Sequence, residues 1–255
     1  MLIVLSPAKT LNMEAEVPSI FFTMPQHLKK SQELIETLKK KSTKKLEVLM
    51  GISTHLAQLN YERFQQWHIP HTHEEAKQAI FAFRGEVYTG LDIDTFTDDQ
   101  LKYTQDHLRI LSGLYGVLKP LDLIQAYRLE MGTPLSLGRK KNLYEFWNGI
   151  ITNSIKEAIQ AQNDDILINL ASNEYFKSIA KNKLGANIIT PVFKDLKNGQ
   201  YKVISFFAKK ARGMMSRFIL QNKLTKIEDL KHFEDDGYFY NDKLSTEASP
   251  IFTRG

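Results

Sequence analysis

Apolar residues follow two different spacings along this chain, and each spacing predicts a type of secondary structure. Short continuous apolar runs, bounded by turn residues, predict buried strands at residues 1–5, 108–111, 165–170, 187–193 and 201–207. Apolar residues three and four apart predict helices at residues 98–107, 142–161 and 208–221, and several short helices across residues 25–83. Breaks are expected at Gly51 and near Pro70, because both residue types interrupt helices. The sequence therefore predicts a fold in which strands and helices are mixed.

The order of these elements indicates an α/β or mixed α+β fold, in which helices flank a mixed β-sheet. Lys197, Asn198 and Gly199 separate the last two predicted strands, which is typical of a β-hairpin turn. No internal repeat or low-complexity linker divides the chain. We therefore expect residues 1–255 to form a single compact domain.

Composition narrows the classes of function. The 34 Lys and Arg residues exceed the 29 Asp and Glu residues, which gives a net charge of +5 and a mild preference for phosphate-bearing partners. The chain has no cysteine, so disulfides, thiolate nucleophiles, iron–sulfur clusters and cysteine-based zinc sites are excluded. The first residues have no basic leader and only five apolar positions, and no stretch has the length of a membrane span. These features predict a cytoplasmic protein without a membrane partner.

One face of the predicted helix at residues 208–221 carries a group of cations. A helical wheel places six residues on one arc, without an acid among them: Lys209, Lys210, Arg212, Gly213, Ser216 and Arg217. Cations near the amino-terminal end of a helix oppose its dipole, so helix stability alone does not favour this placement. A bound phosphate would offset that cost, and the small Gly213 and Ser216 would allow a ligand backbone to approach. The alternative is a solvated basic face.

A second candidate nucleic-acid site precedes and includes a Gly-containing turn. The segment 46–57 fits two short helices joined by a tight turn, and it resembles the helix-hairpin-helix motif of DNA-repair proteins. In that motif, the turn presents backbone amides to a phosphate. Met50 stands where the motif usually has proline, and Ser53 replaces its second glycine. The alternative is an ordinary helical corner. The candidate phosphate contacts of this element are Lys44, Lys45, Gly51, Ser53 and Thr54.

Three polar loops follow apolar runs, where open α/β sheets usually bind ligands. If the strands at residues 1–5 and 165–170 are neighbours, their loops bring Lys9, Ser172 and Glu174 to one cleft, which Arg128 and Glu130 would line. Lys9 could hold a phosphate or act as an amine nucleophile, and Glu174 could act as a general base. The structural alternative is that Ser172 or Asn173 caps a helix and Glu174 lies in its first turn. The catalytic candidates are therefore Lys9, Glu130, Ser172 and Glu174.

Two further segments contain polar residues that could form a site but give weaker signals of function. The glycine-punctuated stretch 111–122 lacks the ending of a P-loop, although Arg109 before it could reach a cleft. His68, His71 and His73 lie close together near two glutamates, but they flank Pro70 in a predicted surface loop. We therefore predict no metal site and no cofactor.

Five separated motifs occur in an order that resembles the bacterial YaaA family. They span nearly the whole chain, at residues 6–10 (SPAKT), 109–116 (RILSGLYG), 127–132 (YRLEMG), 169–175 (NLASNEY) and 208–213 (AKKARG). The resemblance implies a role in peroxide stress, DNA binding through a positively charged cleft and a helix-hairpin-helix element, and a link to keeping free iron low. It makes Lys9, Arg128, Lys209, Lys210 and Arg212 the expected cleft residues, and residues 51–54 the expected hairpin.

Three hypotheses follow. The first is a non-enzymatic DNA-binding protein of the oxidative stress response, with weak sequence selectivity for duplexes or repair intermediates. The second is an enzyme that acts on a nucleotide or nucleobase in a basic cleft. The third is an iron-binding protein.

Overall fold

A computed structural model describes residues 1–14, 17 and 21–255. The strands are β1 Leu2–Leu5, β2 Thr10–Leu11, β3 Ala76–Gln78, β4 Phe83–Arg84, β5 Leu108–Ser112, β6 Gly116–Leu118, β7 Leu123–Gln125, β8 Ile166–Asn169, β9 Asn187–Ile189, β10 Val192–Lys197, β11 Gln200–Lys202, β12 Phe239–Tyr240 and β13 Ile251–Arg254. The helices are α1 Leu28–Lys39, α2 Thr43–Met50, α3 Thr54–Gln66, α4 Ala79–Ala82, α5 Glu86–Leu91, α6 Asp98–His107, α7 Leu143–Phe146, α8 Ile150–Gln160, α9 Asn173–Phe176, α10 Lys181–Leu184 and α11 Ser205–Gln221. Short 3₁₀ turns occupy Ile93–Thr95, Ile227–His232, Asp235–Gly237 and Asp242–Leu244. The predicted mixed α/β character is confirmed.

The central sheet determines where a ligand can bind. Within the described residues it has five strands, in the order β6-β5-β1-β8-β9. β1 runs parallel to both β5 and β8, with Ile3 opposite Leu108 on one side and Ile168 on the other. β9 is also parallel, and only the edge strand β6 is antiparallel. The chain therefore passes from β1 to β5 on one side and later crosses to β8 on the other. This reversal opens a crevice at the carboxyl ends of β1 and β8.

The sheet is buried on both faces, which explains the continuous apolar runs of its strands. All four residues of β1 are fully buried. Helix α6 packs against β1 and β5, and α8 packs against β6. The predicted bounds of α6 are confirmed, because a capping box fixes its start: Thr97 accepts a hydrogen bond from the Gln100 amide, and the Gln100 side chain accepts one from the Thr97 amide.

The carboxyl-terminal part of the chain forms a second sheet. In the described part of the chain, its strand order is β11-β10-β13-β12, with β10 parallel to β13. The predicted hairpin between β10 and β11 is confirmed, and Asn198 and Gly199 adopt positive φ angles of 53° and 73° in its turn. Helix α11 follows β11 and packs against β10 and α5.

Two glycines allow α5 and α11 to touch through their backbones. A Cβ atom added at Gly213 would lie 1.8 Å from the carbonyl oxygen of Val87, and one added at Gly90 would lie 2.1 Å from that of Lys210. Ser216 is fully buried in the same helix. The expectation that Gly213 and Ser216 leave room for a ligand is therefore wrong, because both face the protein interior.

Several predicted element bounds are also wrong. Residues 187–193 form two strands in different sheets, because Pro191 separates β9 from β10. Residues 205–207 belong to α11 rather than to a strand. The helix predicted at residues 142–161 is two helices, because Gly149 at φ 78° separates them. Within residues 25–83, β3 and the start of β4 interrupt the expected helices.

Among the described residues, none of the helices has the length and apolarity that crossing a bilayer requires.

Candidate functional site

A cavity of about 460 Å³ lies at the carboxyl ends of β1 and β8. The loop after β1 supplies Ser6 and Lys9, and the loop after β8 supplies Ser172 and Glu174. Other walls come from the segment 127–130, from the turn between β4 and α5, and from α11. The charged and polar residues that line the cavity are Ser6, Lys9, Thr10, Arg84, Glu86, Tyr88, Tyr127, Arg128, Glu130, Ser172, Glu174, Tyr175, Lys209 and Arg212.

Hydrogen bonds join the two strand ends at the base of the cavity. The Ser172 amide donates to the Ser6 hydroxyl oxygen at 2.8 Å, and the two hydroxyl oxygens lie 3.2 Å apart. The Tyr88 hydroxyl donates to the Ser6 carbonyl at 3.1 Å, which ties α5 to the same loop. These contacts hold the loops after β1 and β8 in one arrangement.

Glu130 forms the centre of a charged cluster. Its Oε1 atom lies 3.0 Å from Lys9 Nζ and 3.0 Å from Arg128 Nη2. One carboxylate thus faces two cations, which leaves one positive charge in excess within this cluster. Arg128 Nε is buried and has no hydrogen-bond partner among the described residues. One donor of the Arg128 guanidinium is therefore unsatisfied within the described residues.

The wall formed by α11 carries two cations that have no ion-pair partner among the described residues. Within the described residues, neither Lys209 nor Arg212 forms an ion pair. Burial lowers the pKa of Arg212, because a desolvated guanidinium is less stable in its charged form. An anion in the cavity would reverse this effect, because it would interact with the charged form directly.

Glu174 has a structural contact in the cavity wall. Its Oε1 atom accepts a hydrogen bond of 2.8 Å from the Gly132 amide, and its carbonyl accepts one of 2.9 Å from the Tyr144 hydroxyl. Ser172 precedes α9, although its side chain makes no capping bond, and Glu174 lies in the first turn. The structural alternative thus accounts for Glu174 in part, and its role as a general base stays a prediction.

Buried tyrosines complete the cavity floor. Burial raises the pKa of Tyr88, Tyr127 and Tyr175, so their hydroxyl groups stay protonated. The Tyr127 and Ser112 oxygens lie 2.6 Å apart, which connects this wall to β5. The cavity can therefore present aromatic surface together with cations.

Some lining residues were missed in the sequence. Arg84 and Glu86 reach the cavity because Thr10 pairs with Arg84 across β2 and β4. No spacing along the chain indicates this pairing, since β2 and β4 have only two residues each. The motif at residues 6–10 marked one of the two strands but not its partner.

The cations of α11 divide into two groups. Lys209 and Arg212 line the cavity. Lys210 instead lies 3.5 Å from Asp236, and Arg217 lies 2.7 Å from Asp92. The four cations predicted as one anion-binding face are thus only half available at the cavity. A contribution of Lys210 and Arg217 to binding stays a prediction.

The candidate hairpin lies outside the cavity lining. Gly51 ends α2 in the left-handed conformation, at φ 59°, and the amides of Gly51 and Ile52 both donate to the Glu47 carbonyl. Ser53 caps α3 by accepting from the Leu56 amide. The Thr54 hydroxyl donates to the Glu47 side chain at 3.1 Å. Two amides of the turn are thus engaged within the protein.

The lysines before this turn remain accessible. Lys44 and Lys45 are exposed in the first turn of α2. Neither forms an ion pair within the described part of the chain. They are therefore free to approach a nucleic acid, and their role in binding stays a prediction.

The histidine and arginine candidates outside the cavity have structural contacts. His71 is buried, with Nδ1 at 3.0 Å from the His68 carbonyl and Nε2 at 3.2 Å from the Tyr115 hydroxyl. Arg109 donates to backbone carbonyls of α6, including that of Gln105 at 2.9 Å, and it lines a different cavity. No group of three or more potential metal ligands is present among the residues that the structure describes.

Comparison with known proteins extends over the whole chain. A family model described as "Peroxide stress protein YaaA" matches residues 1–244. A UPF0246 protein of Shewanella amazonensis is 56% identical over 254 residues, which cover 100% of this chain and 99% of that protein. UPF0246 proteins of Aliivibrio fischeri strain MJ11 and Hahella chejuensis are 52% and 53% identical, and the matches cover 100% of this chain and 98% and 99% of theirs. The similarity therefore includes every loop that reaches the cavity.

Proposed function

This chain belongs to the YaaA family of peroxide stress proteins, and we propose that it acts in the peroxide stress response by binding DNA, with phosphate groups held in the cavity. The observation that carries the proposal is the partly buried guanidinium of Arg212, which forms no ion pair within the described residues. A desolvated charge without a partner is unfavourable. A phosphate ligand would supply the missing partner.

The neighbouring residues support an anion rather than a cation as the ligand. Five cations line the cavity, at Lys9, Arg84, Arg128, Lys209 and Arg212, against the three carboxylates Glu86, Glu130 and Glu174. Guanidinium groups bind phosphate oxygens in pairs, and the Arg212 guanidinium, which has no ion-pair partner within the described residues, suits this geometry. The cavity therefore combines excess positive charge with directional donors.

Phosphate contacts set the expected form of selectivity. A protein that binds mainly the DNA backbone distinguishes sequences weakly, because phosphates are the same at every position. Such binding also weakens steeply with salt, since counterions are released when each phosphate is contacted. We therefore expect similar affinities for unrelated sequences of equal length.

The test compares DNA affinity and its salt dependence across variants. Fluorescence anisotropy with labelled duplexes of two unrelated sequences would be measured between 50 and 200 mM salt. Arg212→Gln should weaken both duplexes equally and reduce the slope of log affinity against log salt by about 0.9 for one lost phosphate contact. Arg139→Gln, at an exposed residue that does not line the cavity, is the matched control. Equal affinity and slope for Arg212→Gln and the natural protein would contradict the proposal.

A second candidate function is an enzyme that acts on a free nucleotide or nucleobase. The observation that favours it is the size of the cavity, about 460 Å³, which lies within the range of about 300 to 1,000 Å³ typical of small-molecule sites. Its walls also bring together Lys9, Glu130, Ser172 and Glu174, the groups that the sequence proposes for catalysis. Within this reading, Lys9 would hold a phosphate or act as a nucleophile.

Mononucleotides separate the two functions. A mononucleotide that raises the melting temperature of the protein and prevents DNA binding would support a small-molecule site within the same cavity. Conversion of that nucleotide, detected by chromatography and lost in Glu130→Gln, would establish the enzyme. No stabilisation by any mononucleotide, together with DNA binding, would leave DNA as the ligand.

A further inference from the structure

The first turn of α11 exposes an aromatic residue next to the cavity cations. Phe206 is 57% exposed, although it lies in a helix whose later turns are buried. Phe206 and Lys209 are three residues apart, so they are neighbours on the helix surface. A stripe thus runs from Phe206 to Lys209 and on to Arg212, and its last two members line the cavity.

Neighbouring residues hold the Phe206 ring. It meets Phe207 edge to face, with centroids 5.7 Å apart and planes at 75°. Phe207 is in turn covered by the guanidinium of Arg254, which lies 4.6 Å from its ring centroid. Arg254 is fixed by Asp195 and Asp236. The exposed ring of Phe206 therefore rests on a fixed support.

Charge and chemistry indicate what could cover this ring. Lys209 follows Phe206 by one turn, lines the cavity and forms no ion pair within the described residues. An aromatic ring beside a free cation is typical of surfaces that bind unpaired nucleotides, where bases stack on rings and cations contact phosphates. In a continuous duplex, the faces of the bases are already stacked on each other. A ring at this position can therefore stack only on a base that has left the duplex.

We propose that Phe206 is a stacking site for an unpaired nucleobase, whose phosphates are bound by Lys209 and the cavity. This inference rests on the proposed binding of DNA. It names unpaired nucleotides, in single strands or at extruded bases, as the preferred partner. Such nucleotides are also the ones whose bases can reach a cavity that is too small for a duplex.

The test uses the full chain with a labelled single strand of about 20 nucleotides and its duplex. Removal of one base–aromatic stack costs about 1 to 3 kcal/mol, so Phe206→Ala should weaken single-strand binding at least about fivefold. Duplex binding should change less than twofold. Phe206→Trp should keep single-strand affinity, because it retains the stacking surface. The salt slope should be unchanged in both variants, since no phosphate contact is removed.

Phe239→Ala is the matched control, because Phe239 is 54% exposed on β12 and does not line the cavity. Equal affinity of Phe206→Ala and the natural protein for the single strand would overturn the inference. Equal losses for single strand and duplex would also overturn it. So would a change of oligomeric state in Phe206→Ala without a loss of single-strand affinity, because the ring would then serve contact between copies of the chain. If the natural protein binds neither DNA, the proposed function itself fails.

Discussion

At the contact between α5 and α11, replacing glycine with alanine should destabilise the protein, although the same substitution usually stabilises a helix. In an exposed helix, Gly→Ala stabilises by about 1 kcal/mol, because alanine loses less conformational freedom on folding. At Gly213, however, the new Cβ would lie 1.8 Å from the Val87 carbonyl oxygen and 2.7 Å from the Leu91 amide nitrogen. The shortest ordinary carbon–oxygen contacts are about 3.3 Å. The helices would therefore have to separate by more than about 1 Å.

The magnitude follows from these two opposing effects. Overpacking in a core costs about 1 to 3 kcal/mol when side chains can rearrange. Here the obstacle is backbone, so we expect a cost of about 3 kcal/mol. The helix propensity of alanine offsets about 1 kcal/mol, which leaves a net destabilisation of about 2 kcal/mol. For a chain of this length, Gly213→Ala should lower the melting temperature by about 4 to 8 °C.

Thermal unfolding followed by circular dichroism measures this change. Ser205→Ala, at the exposed first residue of α11, is the control and should change the melting temperature by less than about 2 °C. Gly90→Ala should destabilise like Gly213→Ala, because its Cβ meets the same interface from the other helix. The double variant should lose less than the sum, since helices that are already separated accommodate the second methyl group. A Gly213→Ala protein as stable as the natural protein would refute the reasoning.

Three further predictions concern groups outside the cavity. Tyr115→Phe should lower the free energy of unfolding, measured by urea titration, by about 1 to 3 kcal/mol. The reason is that the buried indole N–H of Trp67 loses its acceptor, the Tyr115 hydroxyl at 3.0 Å. An unchanged free energy of unfolding would contradict this prediction. Burial lowers the pKa of His71 from 6.5 to about 4, so the stability that neutral His71 supports is complete above pH 6.5 and is lost as the pH falls towards 4. His71→Gln should therefore reduce the change in the free energy of unfolding across this pH range by at most about 3 kcal/mol. An unchanged pH profile would show that His71 does not cause the dependence. Arg254→Ala should lower the melting temperature, because buried Asp195 then loses its cation at 2.6 Å, whereas Arg139→Ala should leave it unchanged.

The parts of the fold that the sequence predicts are those in which local signals and tertiary structure agree. Strand β1 is an uninterrupted apolar run because both sheet faces are covered, and α6 begins at a capping box that can be read from Thr97 and Gln100. The hairpin at Asn198 and Gly199 follows from the positive φ angles that these residues tolerate. In each case, the determining residues are adjacent in the chain.

The predictions are wrong where contacts between residues far apart in the chain determine the local structure. Apart from Ser205, residues 203–207 are apolar and either β-branched or aromatic, as in a strand. The backbone nevertheless enters α11 at Ser205 and leaves Val203 and Phe206 exposed. The helical wheel placed Gly213 among the cations, because a wheel does not show that α5 lies against this position. Gly149 was an available signal for the break between α7 and α8. The pairing of β2 with β4 had no local signal at all.

The candidate site likewise has features that the sequence predicts and features that depend on distant contacts. The loops after β1 and β8 could be paired from the sequence, given that parallel neighbours end at one edge of a sheet, and the structure places Lys9, Ser172 and Glu174 around one cavity. The separation of Lys209 and Arg212 from Lys210 and Arg217 could not be predicted, because it depends on Asp236 and Asp92. These acids lie far from their partners in the chain.

Two walls of the cavity are held in place in different ways. The sheet fixes the first wall through the contact between Ser6 and Ser172, whereas α11 carries Lys209 and Arg212 in the second. Helix α11 is held by packing and by the ion pairs of Lys210 and Arg217, and its backbone lies against that of α5 at Gly213. A shift of more than about 1 Å would move the Arg212 donors beyond hydrogen-bond distance of a phosphate that stays with the first wall. Anion affinity therefore depends on a backbone contact outside the cavity. Gly213→Ala protein should bind phosphate ligands more weakly than the natural protein, even at temperatures at which it is fully folded.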